Sequence, residues 1–225
     1  MSQHRFILIF LFIAISCAVQ TKYPESWWTP VSTEGAPAWE ILPQAAKPKE
    51  EVILSKRNEL GILSNFAATP FFYKGKRYAS VEGFWQMMKY PDPEYKNDPR
   101  NKVKFPFNRE QVAAMTAFEA KAAGDQASEI MQGLNIDWVT FAGKRMTYCS
   151  EKPGDHFYLI KDAMIKKLRY NYEVRRVLMA TGYLKLKPDH HEEGCKAPEW
   201  KYYQLWMDIR RDIQRSLWLA PNMRL

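Results

Sequence analysis

The sequence has little cysteine and glycine and no long hydrophobic run. Three Cys among 225 residues cannot build a disulfide framework, which excludes a small disulfide-stapled domain. The longest apolar run covers ten residues, 6–15, fewer than the about 20 that a membrane-spanning helix needs. A polytopic membrane protein is therefore excluded. The chain also lacks a glycine-rich phosphate loop, a Cys pair at metal-binding spacing and a nucleophile elbow.

Aromatic and basic residues, in contrast, are plentiful. Eight Trp, 12 Tyr and 12 Phe supply the apolar surface for one globular domain and exclude a largely disordered chain. The 33 Lys and Arg outnumber the 25 Asp and Glu, for a net charge of +8. This excess favours anionic partners such as phosphates, nucleic acid or an acidic membrane surface, but charge alone selects none of them.

Residues 1–18 have the pattern of an export signal. Basic Arg5 precedes the apolar run, and the small residues Ser16, Cys17 and Ala18 follow it. The segment 14–17 is similar to a bacterial lipobox, in which Cys17 would be acylated. A cut after Ala18 would release a soluble protein instead, and an uncleaved anchor or a misplaced start codon is a third alternative. We expect an exported protein, in the periplasm or cell envelope or secreted.

Residues 19–50 form a proline-rich linker in which proline recurs every five to seven residues. The prolines are Pro24, Pro30, Pro37, Pro43 and Pro48. A flexible tether of this length reaches roughly 30 Å. Trp27, Trp28 and Trp39 leave a second alternative open, because exposed Trp is uncommon in a free linker and part of the segment could dock on the domain.

The domain predicted over residues 51–220 is mainly α, of the α+β class, with a small sheet near its N-terminal part. The turn Tyr73-Lys74-Gly75-Lys76 predicts a hairpin. Ser80 is the predicted N-cap of a helix with one apolar stripe, made of Val81, Phe84, Trp85 and Met88. Glu82, Gln86 and Lys89 fall together beside that stripe, because residues at this spacing share a helix face.

Four further helices are predicted from caps and spacing. Asn108 and Gln111 resemble a capping box, and an apolar stripe from Val112 to Ala122 predicts a helix that stops at Gly124. Asp155 is the predicted cap of a helix whose basic side chains lie outside. These are Lys161, Lys166, Lys167 and Arg169. A helix over 171–181 closes at Gly182, and Leu205, Ile209, Ile213 and Leu217 mark the last one.

The cysteines and histidines raise two questions, whether a disulfide forms and whether a metal binds. Cys149 and Cys195 pair only if the fold brings them together, which sequence separation does not show. The run His190-His191-Glu192-Glu193 beside Cys195 has metal-binding residue types. Adjacent side chains on a loop diverge, however, and no second pair has matching spacing. We expect no metal and no cofactor.

Five short segments, in order, resemble the NADAR family, also called YbiA-like. The first two are Gly61-Ile62-Leu63-Ser64-Asn65-Phe66 and the helix Ser80 to Lys89, similar to the family's Phe-Ser-Asn-Phe and Ser-Glu-His-aromatic-aromatic-Gln-Ala-x-Lys. The others are the basic helix 163–169, the helix end 178–182 and the closing helix 205–210. The resemblance spans about residues 55 to 215 and implies a compact YbiA-like domain.

The resemblance implies cleavage of an N-glycosidic bond between a ribose carbon and nitrogen. Such a reaction forms an oxocarbenium-like sugar, so it needs an acid at the leaving nitrogen and a carboxylate that stabilises the cation or activates water. Glu82 matches the motif carboxylate and is the expected acid or base. Asn65, Phe66, Gln86 and Lys89 match motif positions expected to bind substrate, with Lys89 suited to phosphate. Three of these residues have a structural alternative: Glu82 as a surface Glu at a helix start, Asn65 as a turn cap and Lys89 as a solvated Lys.

Two catalytic positions of the family are altered in this chain. Counting along the sequence places His156 where the family has Trp, and Glu193 where it has Asp. His156 could equally be a helix-start residue beside Asp155. The family's Trp-Gly-x-Gly and Gly-Asn-x-Leu-Gly segments before the last helix are absent from this sequence.

Three functional hypotheses follow. The first is an exported N-glycosidase acting on a ribosyl nucleotide, an ADP-ribose-like small molecule or an ADP-ribosylated base. The second is a family member that has lost catalysis and binds a nucleotide-sugar ligand or a surface partner. The third uses the basic helix 161–169 as a binding face for an anionic surface or nucleic acid. A lipid on Cys17 would add the membrane as a partner.

Overall fold

The protein is described by a computed structural model that covers residues 23–192 and 194–219. The predicted signal with Cys17, and the candidate Glu193, lie outside the described residues. The described helices are α1 (Val81–Met87), α2 (Arg109–Ala113), α3 (Ala117–Gly133), α4 (Asp155–Tyr170), α5 (Tyr172–Ala180) and α6 (Tyr202–Leu219). The strands are β1 (Glu51–Ile53), β2 (Phe71–Tyr73), β3 (Lys76–Tyr78), β4 (Trp138–Phe141), β5 (Lys144–Thr147) and β6 (Lys185–Lys187). The predicted class, mainly α with small sheets, is confirmed.

Three two-stranded sheets tie the helices together. The predicted hairpin is the antiparallel pair β2–β3, in which Phe71 lies opposite Tyr78. Its two turn residues, Lys74 and Gly75, both have positive φ, as a type I′ hairpin turn requires. We did not predict the antiparallel pair β4–β5 or the parallel pair β1–β6 from the sequence. The β1–β6 pair joins the beginning of the domain to its last third.

The short helix α1 lies at the centre of the molecule, and each of its seven residues is buried. The capping prediction is confirmed, since the Ser80 hydroxyl accepts a hydrogen bond from the Gly83 N–H at 2.9 Å. The predicted apolar stripe packs in the core. The neighbouring polar positions are buried as well, because α2, α3 and α4 surround α1.

The helix predicted to run from Asn108 to Gly124 is wrong in its extent. The capping box at Asn108 forms, but α2 ends at Ala113 and a new helix, α3, begins at Ala117 with φ +50°. The break packs on α1: the Ser80 hydroxyl donates to the Met115 carbonyl at 2.9 Å. Gly124 lies inside α3 and does not end it. Phe118, predicted on the core stripe, is 58% exposed.

Two predictions for α4 are also wrong. Asp155 is its first residue and Gly154 occupies the N-cap position, with no side-chain cap. Lys167, predicted to lie outside, is fully buried. It occupies the i+7 position from Ile160 on the same stripe as Ala163 and Met164, so the helix turns it into the core. α5 ends before Gly182, which has φ +54°, as predicted.

The described part of the proline-rich segment docks on the domain, the second of the two alternatives. Trp27 is completely buried in the core, and its indole N–H donates to Glu59 Oε1 at 2.8 Å. The Trp28 indole donates to the Glu51 carbonyl at 2.7 Å. Further along, the Ile41 N–H donates to the Asp189 carbonyl at 2.8 Å. Residues 23–50 are therefore part of the folded body.

Cys149 and Cys195 form a disulfide, with their Cα atoms 6.0 Å apart. It connects the end of β5 to the segment before α6. Among the helices of the described residues, none is both long and apolar enough to cross a membrane.

Candidate functional site

Glu82 is positioned by the start of α1 and by the loop that carries Asn65. The Ser80 cap fixes the first turn, and the Glu82 N–H donates to the Asn65 carbonyl at 2.9 Å. This contact joins the two most family-like segments of the sequence. The Glu82 side chain is 6% exposed, so its carboxyl group lies inside the protein and not on a solvated helix start.

Gln86, one turn further along α1, holds the Glu82 carboxyl group. Its side-chain N–H donates to Glu82 Oε1 at 2.7 Å. The Gln86 Oε1 atom is buried and has no hydrogen-bond partner among the described residues. Gly124 of α3 makes room for this amide, because a Cβ atom there would lie 1.8 Å from Gln86 Oε1. The unpaired oxygen therefore faces the backbone of α3.

Lys89 completes the row at the end of α1. Its ammonium donates to the Gly124 carbonyl at 3.1 Å and to Ser128 Oγ at 2.8 Å, and it lies 5.0 Å from the centroid of the Tyr148 ring. These contacts use two of its three N–H bonds. The third leaves capacity for a ligand oxygen, although the side chain is only 4% exposed.

The electrostatics of the row favour a protonated Glu82. Burial raises the pKa of the Glu82 carboxyl, while the Gln86 hydrogen bond and the positive charge of Lys89 act in the opposite direction. Burial also lowers the pKa of Lys89 to about 8, against the opposing influence of Glu82 and Asp125. A raised pKa widens the pH range in which the carboxyl group keeps a proton, which suits a general acid.

An aromatic cluster lies beside this row. The Trp85 indole donates to the Tyr148 hydroxyl at 3.2 Å, and its ring lies edge-on to His156 with centroids 5.2 Å apart. Trp200 packs edge-on against both Trp85 and Tyr148. Burial raises the pKa of Tyr148, and the nearby carboxylates Glu82 and Glu199 raise it further. Tyr148 therefore stays a neutral phenol between two acidic groups.

His156 lies on the far side of the cluster and pairs with a carboxylate that sequence reasoning missed. Its Nδ1 atom is 2.7 Å from Glu199 Oε1, and both residues are 2% exposed. His156 Nε2 is buried without a partner in the described part of the chain. Both side chains line a cavity of about 210 Å³. Glu199 lies 43 residues from His156 in a three-residue 3₁₀ turn, and no spacing rule links them.

Asn65 and Phe66 occupy a loop held from behind by buried donors. The Lys167 ammonium donates to the Ser64 carbonyl at 2.7 Å and the Trp206 indole to the Leu63 carbonyl at 2.6 Å. Asn65 Oδ1 is buried and unpaired within the described residues. Phe66 packs edge-on against Phe118 at 5.2 Å. The loop thus carries an unpaired amide oxygen and an aromatic ring, and its Asn65 carbonyl contacts the Glu82 N–H.

The structure brings most sequence candidates together. Asn65, Glu82, Gln86 and Lys89 are connected by direct contacts or shared neighbours, and His156 joins them through Trp85 and Tyr148. Cys195 is taken up by the disulfide, and His190 Nδ1 lies 3.1 Å from Asp189 Oδ1. Within residues 23–192 and 194–219 there is no group of three or more His, Cys, Asp or Glu that could hold a metal.

Comparison with known proteins does not establish a family for this chain. The chain matches no protein-family profile and no curated protein. A similar solved structure is the NMR structure of the Escherichia coli protein YbiA, with 19% identity and a TM-score of 0.46, covering 76% of this chain and 92% of that one. A likeness at this level does not establish the family, so the functional case rests on the side chains described above.

Proposed function

We propose that this protein is an N-glycosidase that hydrolyses a ribosyl C–N bond in a phosphorylated riboside or an ADP-ribose-type substrate. The observation that carries the proposal is the buried Glu82 carboxyl, held by Gln86 beside Lys89 and raised in pKa by burial. The motif resemblance over residues 80–89 supports the same reaction class. Glu193, at the family's Asp position, stays a prediction for a second carboxylate.

The contacts suggest how the substrate is held. Glu82 donates its proton to the leaving nitrogen as the C–N bond breaks, and the ribose passes through an oxocarbenium-like state. The unpaired Oδ1 of Asn65 accepts a hydrogen bond from a ribose hydroxyl, and Gln86 keeps the Glu82 carboxyl group in place. The free N–H of Lys89 donates to a phosphate oxygen, and the Phe66 ring stacks on the base or other planar group.

The test compares the wild-type chain with Glu82→Gln and Glu119→Gln. Glu119 lies in the first turn of α3 but is exposed, which makes it a matched control for the buried Glu82. The assay follows release of the base or amine from NAD, ADP-ribose and ribosylated riboflavin intermediates by chromatography. Glu82→Gln should lower turnover by about 100-fold or more, and Glu119→Gln should leave it unchanged. Equal turnover in all three proteins would refute the role of Glu82.

The pH dependence follows from the same assignment. Glu82 acts as an acid only while it is protonated, so kcat/KM should fall as pH rises through its raised pKa. Lys89, with a pKa of about 8, also loses its charge as pH rises and then no longer supports phosphate binding. A profile that is flat on its alkaline side would contradict the assignment.

A binding module without catalysis is the second candidate. His156 stands where the family has a catalytic Trp, and the Glu82–Gln86–Lys89 row is bonded largely to itself and to α3. Calorimetry that detects ADP-ribose binding by the wild type, with no product from the whole substrate panel, would favour this candidate over the enzyme.

A further inference from the structure

We infer that His156 and Glu199 form the base side of the reaction, with His156 taking a proton from the hydrolytic water and Glu199 holding the imidazole in place. This inference rests on the proposed N-glycosidase activity and adds Glu199 to the site. His156 was a candidate from its position in the sequence alone, without a partner or a role. Glu199 is the partner of His156, and proton abstraction from water is its role.

The geometry of the His156–Glu199 pair determines which ring nitrogen of His156 can accept a proton. A carboxylate 2.7 Å from Nδ1 accepts the proton carried there, and the neutral ring then has its lone pair on Nε2. Nε2 is buried and has no partner among the described residues. An imidazole oriented by a carboxylate, with its second nitrogen free, is the arrangement in which histidine acts as a general base.

The His156 and Glu199 side chains both line one cavity, which gives a water molecule a place beside the pair. The cavity measures about 210 Å³, room for several water molecules. Arg145, Ser150, Gly154 and Asp155 contribute to its wall. The titratable or charged groups around His156 are thus Glu199 within hydrogen-bonding distance, Tyr148 at 5.4 Å between ring centroids, and Arg145 and Asp155 at the wall.

The Tyr148 ring contacts both halves of the site. It lies beside His156 on one side, and its centroid is 5.0 Å from the Lys89 ammonium of the Glu82 row. A ribose bound against this ring would lie close to both Lys89 of the Glu82 row and His156. Glycoside hydrolysis by inversion needs an acid at the leaving group and a base at a water on the opposite face, the two roles that the inference gives to Glu82 and His156.

The reaction step balances without a further reactant. The water oxygen forms a bond to the ribose carbon as the C–N bond breaks, and the bonding electrons leave with the nitrogen. Glu82 gives its proton to that nitrogen, and His156 Nε2 takes one proton from the water. The products are the ribosyl part of the substrate, with a hydroxyl group in place of the nitrogen, and the base or amine with its added proton; proton exchange with solvent restores both residues.

The experiment measures kcat and KM for His156→Ala, Glu199→Gln and Glu199→Asp on the substrate that the wild type turns over. Glu59→Gln is the matched control, because Glu59 also accepts a ring N–H, that of Trp27 at 2.8 Å, outside the site. His156→Ala should lower kcat by about 100-fold or more. Glu199→Gln should lower kcat strongly with KM little changed, and Glu199→Asp should recover part of it.

Added imidazole separates a chemical role from a structural one. Removing the His156 ring leaves space continuous with the cavity, so imidazole should restore turnover of His156→Ala in a saturable way. Glu199→Gln gives an independent reading if His156→Ala fails to fold. Full activity in both variants, with Glu82→Gln inactive, would overturn this inference and leave the glycosidase intact. Loss of activity matched by loss of folding, with no rescue, would also overturn it. A wild type without turnover would overturn both.

Discussion

Lys167 shows how a single residue of the basic helix differs from its neighbours. Its ammonium has no exposed surface, and its one described hydrogen bond goes to the Ser64 carbonyl at 2.7 Å. Burial lowers its pKa to about 7, so near neutral pH the folded protein binds this proton only weakly. The side chain holds the loop of Asn65 and Phe66, and it is not available to an anionic partner.

The buried Lys167 predicts a pH-dependent stability. In the unfolded chain its pKa returns to the ordinary 10.5. Between pH 7 and about 10 the unfolded state therefore holds more protons, and stability rises with pH by roughly 1 kcal/mol per pH unit. Lys167→Met should remove this rise. Urea unfolding at pH 7 and pH 9 checks it, with the half-buried Lys166→Met as control. A wild-type advantage over Lys167→Met that is the same at both pH values would contradict the prediction.

For single residues, the sequence predicted which side chains lie together better than it predicted how deeply they are buried. Glu82, Gln86 and Lys89 were grouped correctly by helix spacing, but the spacing placed them only beside the apolar stripe, and the structure buries all three. Lys167 carried a usable signal, because it continues the stripe of Ile160 and Met164; its position in a run of basic residues hid this. Glu199 had no local signal, since only tertiary folding brings it to His156.

Among the helices, the approach of α3 to α1 decides the shape of the acid side of the site. Gly124 faces the Gln86 amide, and a side chain there would overlap Oε1, Cδ and Cγ of that residue. Gln86 is buried and has no free space into which to turn. The same contact brings the Gly124 carbonyl to the Lys89 ammonium.

Gly124→Ala should therefore displace Gln86 and disturb Glu82. Overpacking a core costs about 1–3 kcal/mol, against a gain of about 1 kcal/mol from the better helix former. We expect a net loss of stability together with reduced turnover. Gly133→Ala, in the same helix, meets nothing within 4 Å and should be neutral or slightly stabilising. Denaturant unfolding and the glycosidase assay compare the two, and equal behaviour would show that Gln86 can move freely.

Helix ends were predicted well where a local cap decides them and poorly where packing does. Ser80 and Asn108 cap their helices as expected because the acceptor lies on the cap residue itself. The break between α2 and α3 follows from α1: a Cβ at Gly83 would lie 2.5 Å from the Met115 carbonyl, so the two backbones touch there. The apolar stripe from Val112 to Ala122 is continuous in the sequence, so it does not show where the helix breaks.

For the molecule as a whole, the Cys149–Cys195 disulfide bears on compartment and on the site together. Disulfides persist in oxidising compartments, which supports our proposal that the protein is exported. Cys195 also lies four residues before Glu199, and its sulfur accepts the Ala197 N–H at 3.3 Å. Reduction would release the segment that carries the proposed base side.

Dithiothreitol should therefore lower both stability and turnover. Loss of a disulfide in a domain of this kind costs about 2–5 kcal/mol. Thermal unfolding with and without the reductant measures the change, and the double variant Cys149→Ser, Cys195→Ser should be insensitive to it. In protein isolated from its native cell, Cys149 and Cys195 should resist alkylation until reduced. Immediate alkylation of both would contradict an oxidising compartment.

The docking of Trp27 changes what an anchor at the N-terminus would do. The folded body already includes Tyr23, so only residues 18–22 separate it from Cys17, and even a fully extended chain of five residues spans less than about 20 Å. A lipid on Cys17 would hold the folded protein close to the bilayer, because only a short segment connects the two. The folded body would then stay within about 20 Å of the lipid, and molecules on the membrane surface would lie within its reach.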